Sequence, residues 1–105
     1  MPISVVLQTI EGKVLDRVVS KKSGALNRIL PIEDRADSAL PMLSLIDPYG
    51  NTIFNGLQMR TFLTEWDLLA RGMSDNDDKQ TMTEVRRLAE RCRREPHTYL
   101  RFIGD

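Results

Sequence analysis

The spacing of apolar residues changes along this chain, and each change marks an element. Ile3-Ser4-Val5-Val6-Leu7-Gln8-Thr9-Ile10 and Lys13-Val14-Leu15-Asp16-Arg17-Val18-Val19 are rich in β-branched side chains, which suit a pleated surface. Glu11-Gly12 lies between them, and glycine supplies the positive φ that a tight turn needs. The second run alternates only in part, since Leu15 and Val19 share a face with Arg17. Residues 3–10 and 13–19 therefore predict an N-terminal hairpin.

Later the period becomes helical. Met59, Phe62, Leu63, Trp66, Leu69, Ala70 and Met73 fall on one arc about 120° wide. They predict a helix over 57–71, with Asn55 and Gln58 as a reciprocal capping box and Gly72 as its stop. Met82, Val85, Leu88, Ala89 and Cys92 form a second stripe, on a helix over 82–95 that Pro96 ends. Thr81 with Glu84 and Asp77 with Gln80 are competing starts for it. Acids in the preceding linker, and Arg91, Arg93 and Arg94 in the last turn, suit its dipole. Thr98-Tyr99-Leu100-Arg101-Phe102-Ile103 alternates as a strand. An isolated terminal strand is unstable, so it is expected to pair with the hairpin. The resulting expectation is an α+β fold: an antiparallel sheet of hairpin and C-terminal strand, with two main helices packed on one face.

The middle of the chain is less regular. Residues 21–24 suggest a loop, Ala25 to Leu30 a short helix before Pro31, and Ile32 to Ala39 a polar surface loop. Residues 20–41 are the stretch expected to be most mobile. Asp47-Pro48-Tyr49-Gly50 has turn chemistry at every position. Around it, Met42 to Ile46 and Thr52 to Phe54 form either a second hairpin or a helical turn leading into a loop.

Composition narrows the class. The chain has 105 residues, the size of one domain, so 1–105 is expected to be a single unit. With 41% hydrophobic and 29% charged residues it has the make-up of a folded chain rather than a disordered one. Fifteen basic residues balance fifteen acidic ones, so no basic half points to nucleic acid and no acidic tail to a basic partner. A net charge near zero favours self-association, and a homodimer is one expected state. No stretch has the make-up of a secretion signal or a membrane span, which gives the cytoplasm as the expected address and no membrane partner. Cys92, the single cysteine, sits on the apolar stripe as a small buried hydrophobe.

Motifs that carry chemistry do not stand out. No glycine-rich phosphate loop, nucleophile elbow, His-Glu metal motif or Asp-rich calcium loop is present, so no catalytic residue, metal or cofactor is assigned. The arginines of 86–94 spread around their helix, with Glu90 placed four residues before Arg94 for an ion pair. They suggest a solvated helix back rather than a nucleic-acid groove.

Two candidate sites remain. Leu57, Thr61, Thr64 and Leu68 share a second strip of the first long helix, at spacings that a partner helix or a second monomer would dock against. The alternative is that residues 32–46 cover this strip within one molecule. Asp47, Tyr49 and Asn51, on a loop fixed by Pro48, are the second candidate and would form a ligand pocket if the fold brought His97 beside them. Their structural alternative has Asp47 capping the turn, Asn55 capping the helix, Tyr49 lying over the core edge, and His97 donating to a backbone carbonyl.

The segment Pro41 to Met59, with its Asp47-Pro48-Tyr49-Gly50 turn and Thr52-Ile53-Phe54-Asn55 run, and the ending His97 to Asp105 resemble a group of small bacterial proteins of unknown function. The resemblance covers about half the chain and implies a bacterial stand-alone domain with no assigned activity. The first functional expectation is a non-enzymatic protein-interaction module, immunity- or adaptor-like. The second is a small-ligand-binding or catalytic domain with its pocket near Asp47, Tyr49 and His97.

Overall fold

A computed structural model describes residues 3–18, 24–31 and 39–104. Strands β1 (Ser4–Thr9) and β2 (Val14–Arg17) form the expected hairpin. It closes through Gly12 at φ 91°, while the Thr9 N–H donates to the Lys13 carbonyl at 2.9 Å. Leu7 pairs with Asp16 and Gln8 with Val14, so Leu15 is an extra residue. That bulge is why β2 alternates imperfectly.

β3 (Asn51–Asn55) and β4 (Thr98–Ile103) complete an antiparallel sheet in the order β2-β1-β4-β3. The C-terminal strand does pair with the hairpin, from Ser4 opposite Ile103 to Thr9 opposite Thr98. It also pairs with β3, so β4 is a central strand. Residues 42–54 follow the helical-turn alternative. A 3-10 turn over Leu43–Leu45 precedes the 47–50 turn, and β3 takes its partner from β4 rather than from a hairpin.

The short helix before Pro31 is present as α1 (Ala25–Ile29). A 3-10 turn over Gly56–Gln58 leads into α2 (Met59–Ala70). The predicted capping box sits on that turn: Asn55 N–H donates to Gln58 Oε1 at 2.8 Å, and Gln58 N–H to Asn55 Oδ1 at 3.1 Å. Gly72 does not end α2 through a left-handed residue. Its N–H donates to the Leu69 carbonyl at 3.2 Å, a tightened last turn.

α3 runs Asn76–Arg94, six residues longer at its start than the stripe implies. Neither competing capping box begins it. Asp75 is the cap, accepting from the N–H groups of Asp77 and Asp78 at 2.9 and 3.1 Å. The expected loops at 21–23 and 32–38 lie outside the described residues.

α1, α2 and α3 all contribute to one core on one side of the sheet. Val5, Leu7, Phe54, Leu100 and Phe102 point into it, against Leu26, Phe62, Trp66, Val85, Leu88 and Cys92. Phe62 lies at its centre, 5.4 Å from the Trp66 ring, 5.6 Å from Phe54 and 5.9 Å from Phe102. The Trp66 indole N–H donates to the Met82 carbonyl at 2.9 Å, which satisfies its one polar atom inside the core. Among the described residues no helix is long and apolar enough to cross a membrane.

Candidate functional site

The strip on α2 is solvent-facing. Leu57 is 93% exposed and Leu68 42%, and Thr61 and Thr64 are exposed between them. It is a sparse seam, however. The leucines are about 16 Å apart along the helix, and the Thr64 hydroxyl donates back to the Arg60 carbonyl at 3.1 Å.

Asp47 and Tyr49 share one hydrogen-bonded turn, while Asn51 opens β3 and its side chain accepts from Arg101. Asp47 Oδ1 accepts from the Tyr49 N–H at 2.8 Å, and the Asp47 N–H donates to the Thr52 hydroxyl at 2.8 Å. Gly104 packs on this turn so closely that a Cβ there would lie 2.5 Å from the Pro48 carbonyl. Tyr49, expected over the core edge, is 81% exposed.

His97 is not brought to that turn. Asn51 is level with Ile103 at one end of β4, whereas His97 precedes Thr98 at the other. The strand rise makes that separation at least about 17 Å. The single pocket expected from Asp47, Tyr49, Asn51 and His97 is therefore not assembled, because an intervening strand holds its parts at opposite ends. His97 is exposed at φ 61°, and among the described residues its imidazole donates to no carbonyl. Two open depressions flank its turn, of about 450 and 640 Å³, and neither reaches Asp47, Tyr49 or Asn51.

Cys92 is a structural residue. Its thiol donates to the Thr98 carbonyl at 3.5 Å, and burial pushes its pKa up, away from the thiolate. Three of the five arginines of α3 are engaged within the molecule, while Arg93 and Arg94 are exposed. Arg86 donates to Asp67 and Glu90, Arg87 to Glu84 and Asp16, and Arg91 to Glu95 and Asp16. Glu90 thus pairs with Arg86 rather than with Arg94. A depression of about 300 Å³ opens between α2 and α3 over Ala70, Met73 and Met82, with Asp67, Lys79 and Arg86 on its rim.

The surface that sequence reasoning missed is the outer face of the sheet. Strand register places Ser4, Val6 and Gln8 of β1 on it, with Val14 and Arg17 of β2. Asn51, Ile53 and Asn55 of β3 join them, with Tyr99, Arg101 and Ile103 of β4. No acidic residue occurs among these positions, and none of these side chains belongs to the core cluster beneath the helices, although Val6 and Gln8 at the middle of the face are themselves buried. Ile53 is 52% exposed and Val14 40%.

Near the centre of this face, Arg101 is held in place. Its Nε and Nη2 donate to Asn51 Oδ1 at 3.1 and 3.0 Å, and its Nη1 to Gln8 Oε1 at 3.3 Å. Each acceptor is a neutral amide. Among the described residues no carboxylate pairs with Arg101. At one end the face meets Leu57, which lines the same depression as Asn55 and Tyr99. The signal available in the sequence was the pairing of Tyr99, Arg101 and Ile103 at strand spacing, opposite in phase to the core residues Leu100 and Phe102.

No family model, curated protein or solved structure matches this chain.

Proposed function

We propose that this chain is a non-enzymatic protein-binding module, immunity- or adaptor-like, that docks its partner on the outer face of its sheet. One observation carries the reading: this face presents Val14, Ile53, Tyr99 and Ile103 around Arg101, without cover from any described helix. Tyrosine and arginine within an apolar surround is the composition of interface hot spots. The bacterial setting rests on the resemblance of the 41–59 and 97–105 segments alone.

The α2 strip is a second reading, favoured by the 93% exposure of Leu57 on a turn locked by its capping box. A partner covering the end of the sheet would reach Leu57 as well, whereas Leu68 is too distant to be engaged in the same contact.

A tagged chain used to capture proteins from a lysate of its host separates these readings. Ile53 is on the edge strand and half exposed, so Ile53→Asp should leave the fold intact. The expected result is a stoichiometric partner retained by the parent chain and by Leu68→Asp, and lost from Ile53→Asp. A partner lost from Leu57→Asp with Leu68→Asp and kept by Ile53→Asp would move docking to α2. Absence of any retained protein would count against a protein-binding role.

A further inference from the structure

From the geometry around Arg101 we infer that the outer sheet face recognises a carboxylate on its protein partner, in an acidic segment whose neighbouring side chains are apolar. The inference rests on the binding-module reading and names the chemistry of the partner.

Complementarity of charge is the first argument. Arg17 and Arg101 flank Val6 in one cross-strand row that continues to Ile53. Among the described strand positions the face carries these two cations and no acid. By contrast, Arg86, Arg87 and Arg91 on the other side of the molecule each have at least one carboxylate. Arg101 is half-buried, and a guanidinium in that setting gains most from an anion that reaches it from outside.

Preorganisation is the second. Asn51 and Gln8 come from the strands on either side of β4 and fix the plane of the guanidinium between them. Those bonds use the Nε–Nη2 edge and one Nη1 N–H, which leaves one N–H on each terminal nitrogen for a further acceptor. A fixed planar fork matches a carboxylate in two-pronged geometry, and its side-chain entropy is largely lost before binding. Ile53, half exposed, and the partly buried Ile103 border it, so an arriving segment would bury apolar surface and desolvate the ion pair together.

RNA is the competing occupant of a four-stranded sheet with an open face. Such sheets stack two or three bases on aromatic side chains. Here Tyr99 is the one aromatic among the outward strand positions, so the observations favour a protein carboxylate.

The test is a titration of the isotope-labelled full chain, followed by backbone amide NMR shifts. The probes are a capped hexapeptide alternating valine with glutamate, its counterpart with glutamine at each glutamate, oligouridylate, and inorganic phosphate. The expected result is shifts centred on Tyr99, Arg101 and Ile53 with the glutamate peptide, and binding at least about tenfold weaker for the glutamine peptide. Arg101→Gln should remove the difference between the two peptides. Arg101→Lys, which keeps the charge and loses the fork, should reduce it, and this variant decides the matter if Arg101→Gln does not fold.

Equal binding of both peptides to the face would overturn carboxylate recognition while leaving the face as a docking surface. Absence of shifts with the glutamate peptide, or stronger shifts with oligouridylate or phosphate, would overturn the inference outright. A dimer that forms without peptide and is lost in Arg101→Gln would assign the face to a second copy of the chain, and would also overturn it.

Discussion

Glu65 is the side chain whose position most sharply contradicts its polarity. It is only 4% exposed, yet it lies on the core side of α2. Its carboxylate accepts from the N–H groups of Met42 and Leu43 at 2.9 and 3.0 Å, the free donors at the start of the Leu43–Leu45 turn. A glutamate from α2 thus substitutes for the local cap that the turn lacks. Glu65→Ala should cost about 1–3 kcal/mol, the penalty for leaving buried donors unsatisfied. Urea unfolding would measure that loss, and hydrogen exchange should speed up first at Met42 and Leu43. Unchanged protection at those two amides would show that Glu65 does not hold the turn.

At the level of elements, Asp16 ties the edge strand β2 to α3. Its carboxylate meets Arg87 at 2.6 Å and Arg91 at 3.3 Å. The hydrogen bond from Arg87 is the main reason its pKa lies below the ordinary aspartate value. A carboxyl with a depressed folded-state pKa contributes stability that is fully present above its unfolded pKa. That contribution disappears as the pH falls through the folded value. Asp16→Asn should therefore be less stable than the parent at neutral pH, by no more than about 1 kcal/mol because the pair is partly solvated. The two proteins should converge in strong acid. Denaturant midpoints across the acid range would show the convergence, and a constant gap at every pH would contradict it.

Elements whose signals are local are legible in the sequence. The glycine turn of the hairpin, the Asn55–Gln58 box and the Phe62–Trp66 stripe each depend on residues a few positions apart. What is illegible depends on distant partners. β3 is a strand because β4 supplies its hydrogen bonds, and Glu65 is buried because Met42 and Leu43 need it. The start of α3 at Asn76 is an exception, since its cap Asp75 is local but works as a single aspartate without a capping box. The same logic separates the candidate sites. The Asp47–Tyr49 turn is visible in its local chemistry, while its distance from His97 follows only from strand register. Arg101 is hidden because its partners Gln8 and Asn51 lie on two other strands.

For the molecule as a whole, Phe62 is where sheet and helices meet, touching rings from β3, β4 and its own helix. Phe62→Ala should cost about 3–5 kcal/mol through lost burial and the cavity left behind. Tryptophan fluorescence from Trp66 and far-ultraviolet dichroism should lose their signals at one shared, lower midpoint. Two separate midpoints would show that the helices and the sheet are not one cooperative unit.

The central place of β4 also governs the order in which the molecule can be made. While the chain emerges from the ribosome, β1 and β2 can close their hairpin early, but a two-stranded hairpin alone is marginal in water. β1 has its second edge open until Thr98–Ile103 arrives to pair with it, and β3 has no partner at all before then. Until that moment Val5, Leu7 and Phe54 belong to strands whose unpaired edges can bond to other nascent chains. Slow decoding of the last residues of the strand would lengthen this interval, and so set the aggregation risk of a protein whose finished fold gives no hint of it.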